Sequence, residues 1–169
     1  ERYRLLAENA TDIIWVIDAS LKITYVSPSA ASLLGYSLEE LMTGYFNNAL
    51  TPESLDRVAH VYMDDLAGEN VTPGSIGERI VEIEAVCKAG RTVWLEAVTK
   101  PIRDADGRLA GFHGACRNIT ERKRAQEALL ASQIKYRNLF EHTLLGMEVV
   151  DGATGKVVLA NHAIARMFG

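Results

Sequence analysis

The chain of 169 residues carries 18 Lys and Arg against 22 Asp and Glu, a net charge of −4, with 48% hydrophobic and 24% charged residues. These values lie near the average for folded globular domains and exclude collagen-like chains, disordered chains and strongly basic nucleic-acid binders. The longest uncharged apolar run is far short of the roughly 20 residues that span a bilayer, and no positive-then-apolar targeting segment opens the chain, so no membrane segment is expected and a cytoplasmic location is.

Residues 1–10 read as a short helix, and Asp12–Asp18, a β-rich run bounded by turn residues, reads as the first strand. The Ala19-Ser20 turn leads into a second strand over Lys22–Ser27. Ser27-Pro28 supplies an N-cap and a first-turn proline for a helix over Ser29–Leu34, which Gly35 closes. Ser37 followed by Glu40 is a capping box that opens another short helix. Thr51-Pro52 repeats the cap-plus-proline device before a helix over Glu53–Ala67, where Leu55, Val58, Ala59, Tyr62 and Leu66 recur at helical spacing as one buried stripe.

A Gly/Asn/Pro loop covers residues 68–77, after which the period changes to two. Arg79–Lys88, Arg91–Arg103 and Arg108–Ile119 are three long strands, joined at Ala89-Gly90 and at Ala105-Asp106-Gly107. Two strands, a cluster of small helices and a three-stranded meander make an α+β pattern. From Thr120 the composition turns to Glu, Arg, Lys, Gln and Ala, without Gly or Pro until Gly146, which predicts one continuous helix over residues 120–142. Ala125, Leu129, Ser132, Tyr136 and Leu139 form a weak heptad-like stripe on it, suited to a parallel homodimer or to packing on its own domain.

The rest repeats the beginning. Tyr136-Arg-Asn-Leu-Phe-Glu141 matches Tyr3-Arg-Leu-Leu-Ala-Glu8, and Val149 and Asp151 match Val16 and Asp18. With one residue inserted in the turn, Lys156, Ala165 and Gly169 match Lys22, Ala31 and Gly35, so a second copy has started. The chain begins at Glu1 and stops within an apolar pattern, so flanking domains are expected.

Several motifs together carry a family resemblance: Tyr25-Val-Ser-Pro-Ser-Ala-Ala-Ser-Leu-Leu-Gly-Tyr36 followed by Ser37-Leu-Glu-Glu-Leu41, then Gly90-Arg-Thr-Val-Trp-Leu-Glu96, Pro101-Ile-Arg-Asp104, Gly107, and Gly111-Phe-His-Gly114 leading into Asn118-Ile-Thr-Glu-Arg-Lys123. Over residues 1 to about 124 the chain resembles a PAS domain, and residues 135–169 resemble the first third of another. The resemblance implies an α+β PAS fold: a five-stranded antiparallel sheet in strand order 2-1-5-4-3, with small helices on one face enclosing a small cavity, followed by a linker helix. It implies residues 1–119 as the first PAS domain, 120–135 as a helical linker and 136–169 as the N-terminal part of a second, truncated one. Tandem PAS units in bacteria usually precede a histidine kinase or a diguanylate cyclase or phosphodiesterase, so the implied role is signal transduction.

One departure stands at the end of the last strand, where the family's Asp-Ile-Thr reads Asn118-Ile119-Thr120. Asn118 offers only neutral hydrogen bonds, roughly half as strong as those of the family carboxylate, so the strand-to-helix latch is expected to be looser. Thr120 can cap the helix, and Glu121 in its first turn complements the dipole. Asn118, Thr120 and Glu121 are therefore the candidate signal junction, with ordinary capping as the plainer account.

Ligand-binding members of the family place the residue after the tryptophan of Gly90-Arg-Thr-Val-Trp-Leu inward, which selects Leu95, Ala97 and Thr99, and by alternation Ala85, Cys87, Phe112, Gly114, Cys116, Trp15 and Ile17. With Leu55, Val58 and Tyr62 from the long helix these form the candidate ligand pocket. Small inward side chains leave either a cavity or room for large neighbours, and Trp15 and Tyr62 are large enough to fill it themselves. The cofactor is left unnamed. The stretch Asn47–Leu55 has no cysteine for a photoactive flavin, and His60 falls off the apolar stripe and away from any haem. Cys87 and Cys116 have one strand between them, about 10 Å, too far for a disulfide. No histidine pair has metal-ligand spacing, and no nucleophile–base pair, phosphate loop or dinucleotide fingerprint is present, so the fragment is read as non-enzymatic. Two readings remain: a ligand-sensing relay, and a ligand-free dimerisation and interaction scaffold.

Overall fold

A computed structural model of the chain describes residues 11–45, 49–66 and 79–168, with the side chains of Tyr45, residues 62–66 and Phe168 excepted. The helix expected over residues 1–10, the loop over 68–77, the side chains of Tyr62 and Leu66, and Gly169 lie outside the described residues. The chain divides into two units, Glu1–Glu121 and Arg122–Gly169.

In the first unit, strands β1 (Ile13–Asp18) and β2 (Ile23–Val26) precede two short helices, α1 (Pro28–Leu34) and α2 (Leu38–Glu40). A turn over Leu41–Tyr45, kinked at Gly44 with φ 103°, follows, then α3 (Pro52–Leu66) and strands β3 (Arg79–Val86), β4 (Thr92–Arg103) and β5 (Leu109–Asn118). The sheet is antiparallel, in the order β2-β1-β5-β4-β3. The connections are hairpins except between β2 and β3, where the helices form the wall over one face. Three local signals are realised as read: Gly35 closes α1 at φ 79°, Ser37 and Glu40 form a reciprocal capping box, and Asp106-Gly107 turns the last hairpin with Gly107 at φ 79°.

Strand alternation sorts the faces as expected. Ile13, Trp15, Ile17, Ile83, Ala85, Cys87, Leu95, Ala97, Thr99, Phe112 and Cys116 are buried, whereas Trp94, next to fully buried Leu95, is half-buried on the opposite face. A slip of one residue would have exchanged the two sets, so the register assigned from the sequence is correct.

Two expectations change. Ser27 occupies the N-cap position of α1, but its hydroxyl does not cap the helix; it accepts the Ile14 backbone N–H at 2.8 Å and shares a 2.7 Å bond with the Ser29 hydroxyl. Burial of the β1–α1 contact gives that hydroxyl a partner 13 residues away, which outcompetes the local one. The α3 stripe is also less buried than its spacing implies: Leu55 and Val58 are half-buried and Ala59 is exposed, because an open cleft separates this part of α3 from the sheet.

The second unit contains helix α4 (Thr120–His142), which starts in the first unit and runs without a break, a hairpin of β6 (Glu148–Val150) and β7 (Val157–Ala160), and α5 (His162–Phe168). Asn161 is its fully buried centre: Nδ2 donates to the carbonyls of Phe140 and Leu145, and Oδ1 accepts the N–H groups of Met147 and Ile164. On the hairpin, Val149, Val157, Val158 and Leu159 are exposed.

Candidate functional site

The interior of the first unit is organised by Trp15. It lies opposite Gly114 in the β1–β5 ladder, and the absence of a side chain there lets the indole pack directly against the neighbouring strand. A Cβ on Gly114 would stand 2.7 Å from Trp15 Cζ2 and 2.2 Å from the Val98 carbonyl oxygen. The indole Nε1–H donates to Cys116 Sγ at 3.2 Å. Burial pushes the Cys116 thiol up to about 12, so the sulfur is a neutral acceptor across the physiological range.

Two cavities border this ring. One is a cleft of about 1440 Å³ between β1, β2 and α3, lined by Trp15, Ile17, Leu55 and Val58 and by Leu21, Ile23, Thr24, Val26, Met42, Leu50 and Ala59, with Asp18, Lys22, Glu39 and Asp56 among its polar groups. The other is a void of about 20 Å³ between Trp15, Val58, Ile83, Ala97, Thr99 and Cys116, room for a single water. Of the residues expected at a pocket, Trp15, Ile17, Leu55 and Val58 line the cleft, and Trp15, Val58, Ala97, Thr99 and Cys116 line the void. Ala85, Cys87, Leu95, Phe112 and Gly114 border neither: Phe112 and Leu95 are packed in the core, Cys87 donates to the Leu33 carbonyl at 3.6 Å, and Gly114 lies under the indole.

The cleft residues on β2 and around Gly44 escaped sequence reasoning. A register shift between Val16 and Ile17 brings Ile23 opposite Ile17, so Ile23, Thr24 and Val26 all border the cleft, which simple alternation forbids. Asp18 ends the first strand, and its Oδ1 accepts from the Ser20 hydroxyl and the Ser20 and Lys22 N–H groups; these bonds hold its carboxyl below the usual range. The same turn places Leu21 at φ 64°, an uncommon conformation for a side chain of its size, at the cleft.

At the strand-to-helix junction the ladder between β4 and β5 continues past the end of β5. Ile119 N–H donates to the Trp94 carbonyl at 2.9 Å, and Trp94 N–H donates in return to the Thr120 hydroxyl at 2.9 Å. The hydroxyl thus stands where a further strand carbonyl would be. Asn118 Oδ1 accepts both the Thr120 hydroxyl, at 2.6 Å, and the Thr120 N–H, at 3.0 Å, and Glu121 lies in the first turn of α4. Beside it, Arg117 pairs with Asp12 at 3.0 Å, a contact between strand ends that no local sequence signal announces. The Asp12 carboxylate holds the Arg117 guanidinium above its ordinary value.

His60 is exposed, with Nδ1 2.7 Å from the Asp56 carbonyl oxygen, and His113 is exposed on the outer face. Among the described residues no group of three or more His, Cys, Asp or Glu is placed to hold a metal ion, and no helix is long and apolar enough to cross a membrane.

Comparison with known proteins agrees with this architecture. The family model described as PAS fold matches residues 1–119, and a second, described as PAS domain, matches residues 134–169. Sporulation kinase C of Bacillus subtilis is 29% identical over 130 residues, which cover 77% of this chain and 28% of that kinase. The sensory box histidine kinase/response regulator structure from Burkholderia thailandensis matches with a TM-score of 0.62 at 23% identity, covering 82% of this chain and all (100%) of that one. The N-terminal domain of a diguanylate cyclase with PAS/PAC sensor from Marinobacter aquaeolei matches with a TM-score of 0.56 at 18% identity, covering 66% of this chain and 98% of that one. The chain thus spans less than a third of the kinase it resembles in sequence. With the strand order, the helical wall on one face and the family match over residues 1–119 all in agreement, the chain belongs to the PAS family of sensory domains.

Proposed function

We propose that this chain is the sensory segment of a longer signalling protein, in which residues 1–119 form one PAS unit, 120–135 a helical linker and 136–169 the beginning of a second unit. The unit regulates a downstream output domain, a histidine kinase or a cyclic-di-GMP enzyme, through α4, with a small molecule in the interior as its input. The observation that carries this reading is the junction itself: β5 passes Cys116, the hydrogen-bond partner of Trp15, and two residues later enters the Asn118–Thr120 network that starts α4. A change in how the interior is filled acts on the helix start without an intervening loop.

Homodimerisation through the helical segments belongs to the same proposal and is supported by exposed Leu129, Tyr136 and Leu139 on one face of α4. Leu130 and Ile134, also exposed, lie on a different face. A second reading, a ligand-free dimerisation and interaction scaffold, is favoured by one observation: Trp15 already covers the centre of the sheet. The cytoplasm is the proposed location, in keeping with two free thiols.

The test uses the full-length protein. Asn118→Ala and Thr120→Ala should shift output activity or its response to signal, whereas Asn118→Asp should leave the melting temperature nearly unchanged. Unchanged output in both alanine variants, with normal folding, would reject the junction as a relay. Native mass spectrometry for a co-purified small molecule separates the sensing reading from the scaffold.

A further inference from the structure

Resting on the relay reading above, we propose that Arg117 is a two-position switch on the outer face of the sheet: paired with Asp12 it ties the chain entering β1 to the start of α4, and turned to Glu96 it releases that tie. Asp12 immediately precedes β1, and Arg117 lies one residue before Asn118. Their ion pair therefore bridges the place where the chain enters the sheet and the place where α4 leaves it. Arg117 Nη2 donates to Asp12 Oδ2 at 3.0 Å, and Nε donates to the same oxygen at 3.3 Å. The Asp12 end is itself anchored, because its carbonyl accepts the Ser29 hydroxyl of α1 at 3.0 Å.

The second position follows from the strand ladders. Glu96 of β4 stands directly opposite Arg117 of β5, and side chains so opposed leave from one face with Cβ atoms about 5 Å apart, within reach of a guanidinium. Glu82 of β3 stands opposite Glu96 in turn, and like charges so placed repel, which makes that side of the row receptive to a cation. One carboxylate on β1's side and two on β4's side thus compete for a single guanidinium. The Arg117 side chain is 68% exposed, so packing does not fix it, and exposed ion pairs are weak enough that the two positions differ by no more than about fivefold in population. A relay needs such a balance. A small displacement of the entering chain moves Arg117, and the next residue is Asn118, whose Oδ1 holds the Thr120 hydroxyl and N–H.

The experiment uses near-isosteric neutral variants of the full-length protein. It reads output activity together with amide hydrogen exchange at Ile13, corrected for the side chain before it, because the tie supports the pairing of Ile13 with Cys116. Asp12→Asn should raise exchange at Ile13 by about two- to fivefold, and Glu96→Gln, which removes the competing position, should lower it. The two variants should shift output in opposite directions. In an Arg117→Gln background, Glu96→Gln should change neither readout. A static ion pair would give no response to Glu96→Gln; that result, or exchange shifts of the same sign from Asp12→Asn and Glu96→Gln, overturns the switch. Opposed exchange shifts with unchanged output, in a protein whose Asn118→Ala and Thr120→Ala variants do shift output, overturn the coupling while the relay reading stands. Output unchanged in all of these variants overturns both.

Discussion

Replacing Thr120 with valine tests the strand-to-helix junction with the smallest change of shape. Valine keeps the β-branched volume at a position only 9% exposed but removes the oxygen. The loss falls on two partners. Trp94 N–H, part of the sheet backbone, loses its 2.9 Å acceptor, and Asn118 Oδ1 loses the hydroxyl donor at 2.6 Å but keeps the residue-120 N–H at 3.0 Å. The first loss dominates, because a partly buried backbone donor left without an acceptor costs about 1–3 kcal/mol, whereas the carboxamide oxygen lies at an exposed residue and turns to water. For a chain of this size each kcal/mol corresponds to about 2–4 °C, so Thr120→Val should lower Tm by about 2–12 °C and Thr120→Ser by much less. The site-resolved assay is amide hydrogen exchange at Trp94, where protection should fall in the valine variant and persist in the serine one. A valine variant that melts with the wild type and keeps Trp94 protected would refute the argument that the hydroxyl substitutes for a strand carbonyl.

Gly114→Ala should be among the most damaging single-methyl changes in the domain: its Cβ meets a backbone carbonyl at 2.2 Å as well as the indole at 2.7 Å, so overpacking of about 3 kcal/mol is expected in urea unfolding, and a loss below about 0.5 kcal/mol would contradict the geometry. Cys116 should resist thiol reagents while the domain is folded, since a thiol pushed up to about 12 leaves about one molecule in ten thousand as thiolate at pH 8 even before burial is considered; rapid native labelling by a disulfide reagent, mapped to Cys116 by mass spectrometry, would contradict this. Glu40 accepts from Lys88 Nζ at 2.7 Å and from the Ser37 N–H at 2.8 Å, and these bonds, the lysine's foremost, hold its carboxyl below the ordinary 4.5. A lowered carboxyl stabilises the fold above its unfolded value and loses that contribution as pH falls through the lowered one, so Glu40→Gln should flatten the acid side of the Tm–pH profile below about pH 4.5, and an identical profile would mean that neither the Lys88 nor the Ser37 contact holds in solution.

The sheet was legible because its information is periodic. Three long runs with a period of two, one Asp-Gly hairpin and the inward placement of Leu95 that the family resemblance implies sort the faces of the meander and, by alternation, of β1, and the structure buries Ile13, Ile83 and Cys116 on the inner face. The cleft was not legible, because alternation reports which face a side chain leaves from and says nothing of how far it leans along the strand. Trp15 leans over Gly114, so of the two outcomes left open for the small inward residues, a cavity or a large neighbour over them, the second holds at the centre of the sheet. The cleft then lies beside the ring, where a register shift in the edge pair, itself a long-range feature, brings consecutive β2 residues to one opening. Ser27 fails for a related reason: the local rule assigns its hydroxyl to the helix that follows, and the fold supplies a better-placed donor in Ile14.

The internal repeat gives that failure a physical meaning. By the register that matches Val149 to Val16 and Lys156 to Lys22, Asn161 corresponds to Ser27, Met147 to Ile14 and Leu145 to Asp12. Asn161 Oδ1 accepts the Met147 N–H and Nδ2 donates to the Leu145 carbonyl. In the first unit the same two groups are served by two side chains: Ser27 Oγ accepts the Ile14 N–H at 2.8 Å, and Ser29 Oγ, bonded to it, donates to the Asp12 carbonyl at 3.0 Å. A carboxamide spans acceptor and donor in one rigid plane, whereas two hydroxyls reproduce the span only by bonding to each other. The turn before each second strand is also shared, with Asp18 and Asp151 each accepting backbone N–H groups through Oδ1. What the two copies preserve is therefore the set of backbone groups that must be satisfied where the first strand meets the helix after the second; the side chains that satisfy them are free to differ. That is why the repeat is visible in scattered positions and almost invisible as continuous identity.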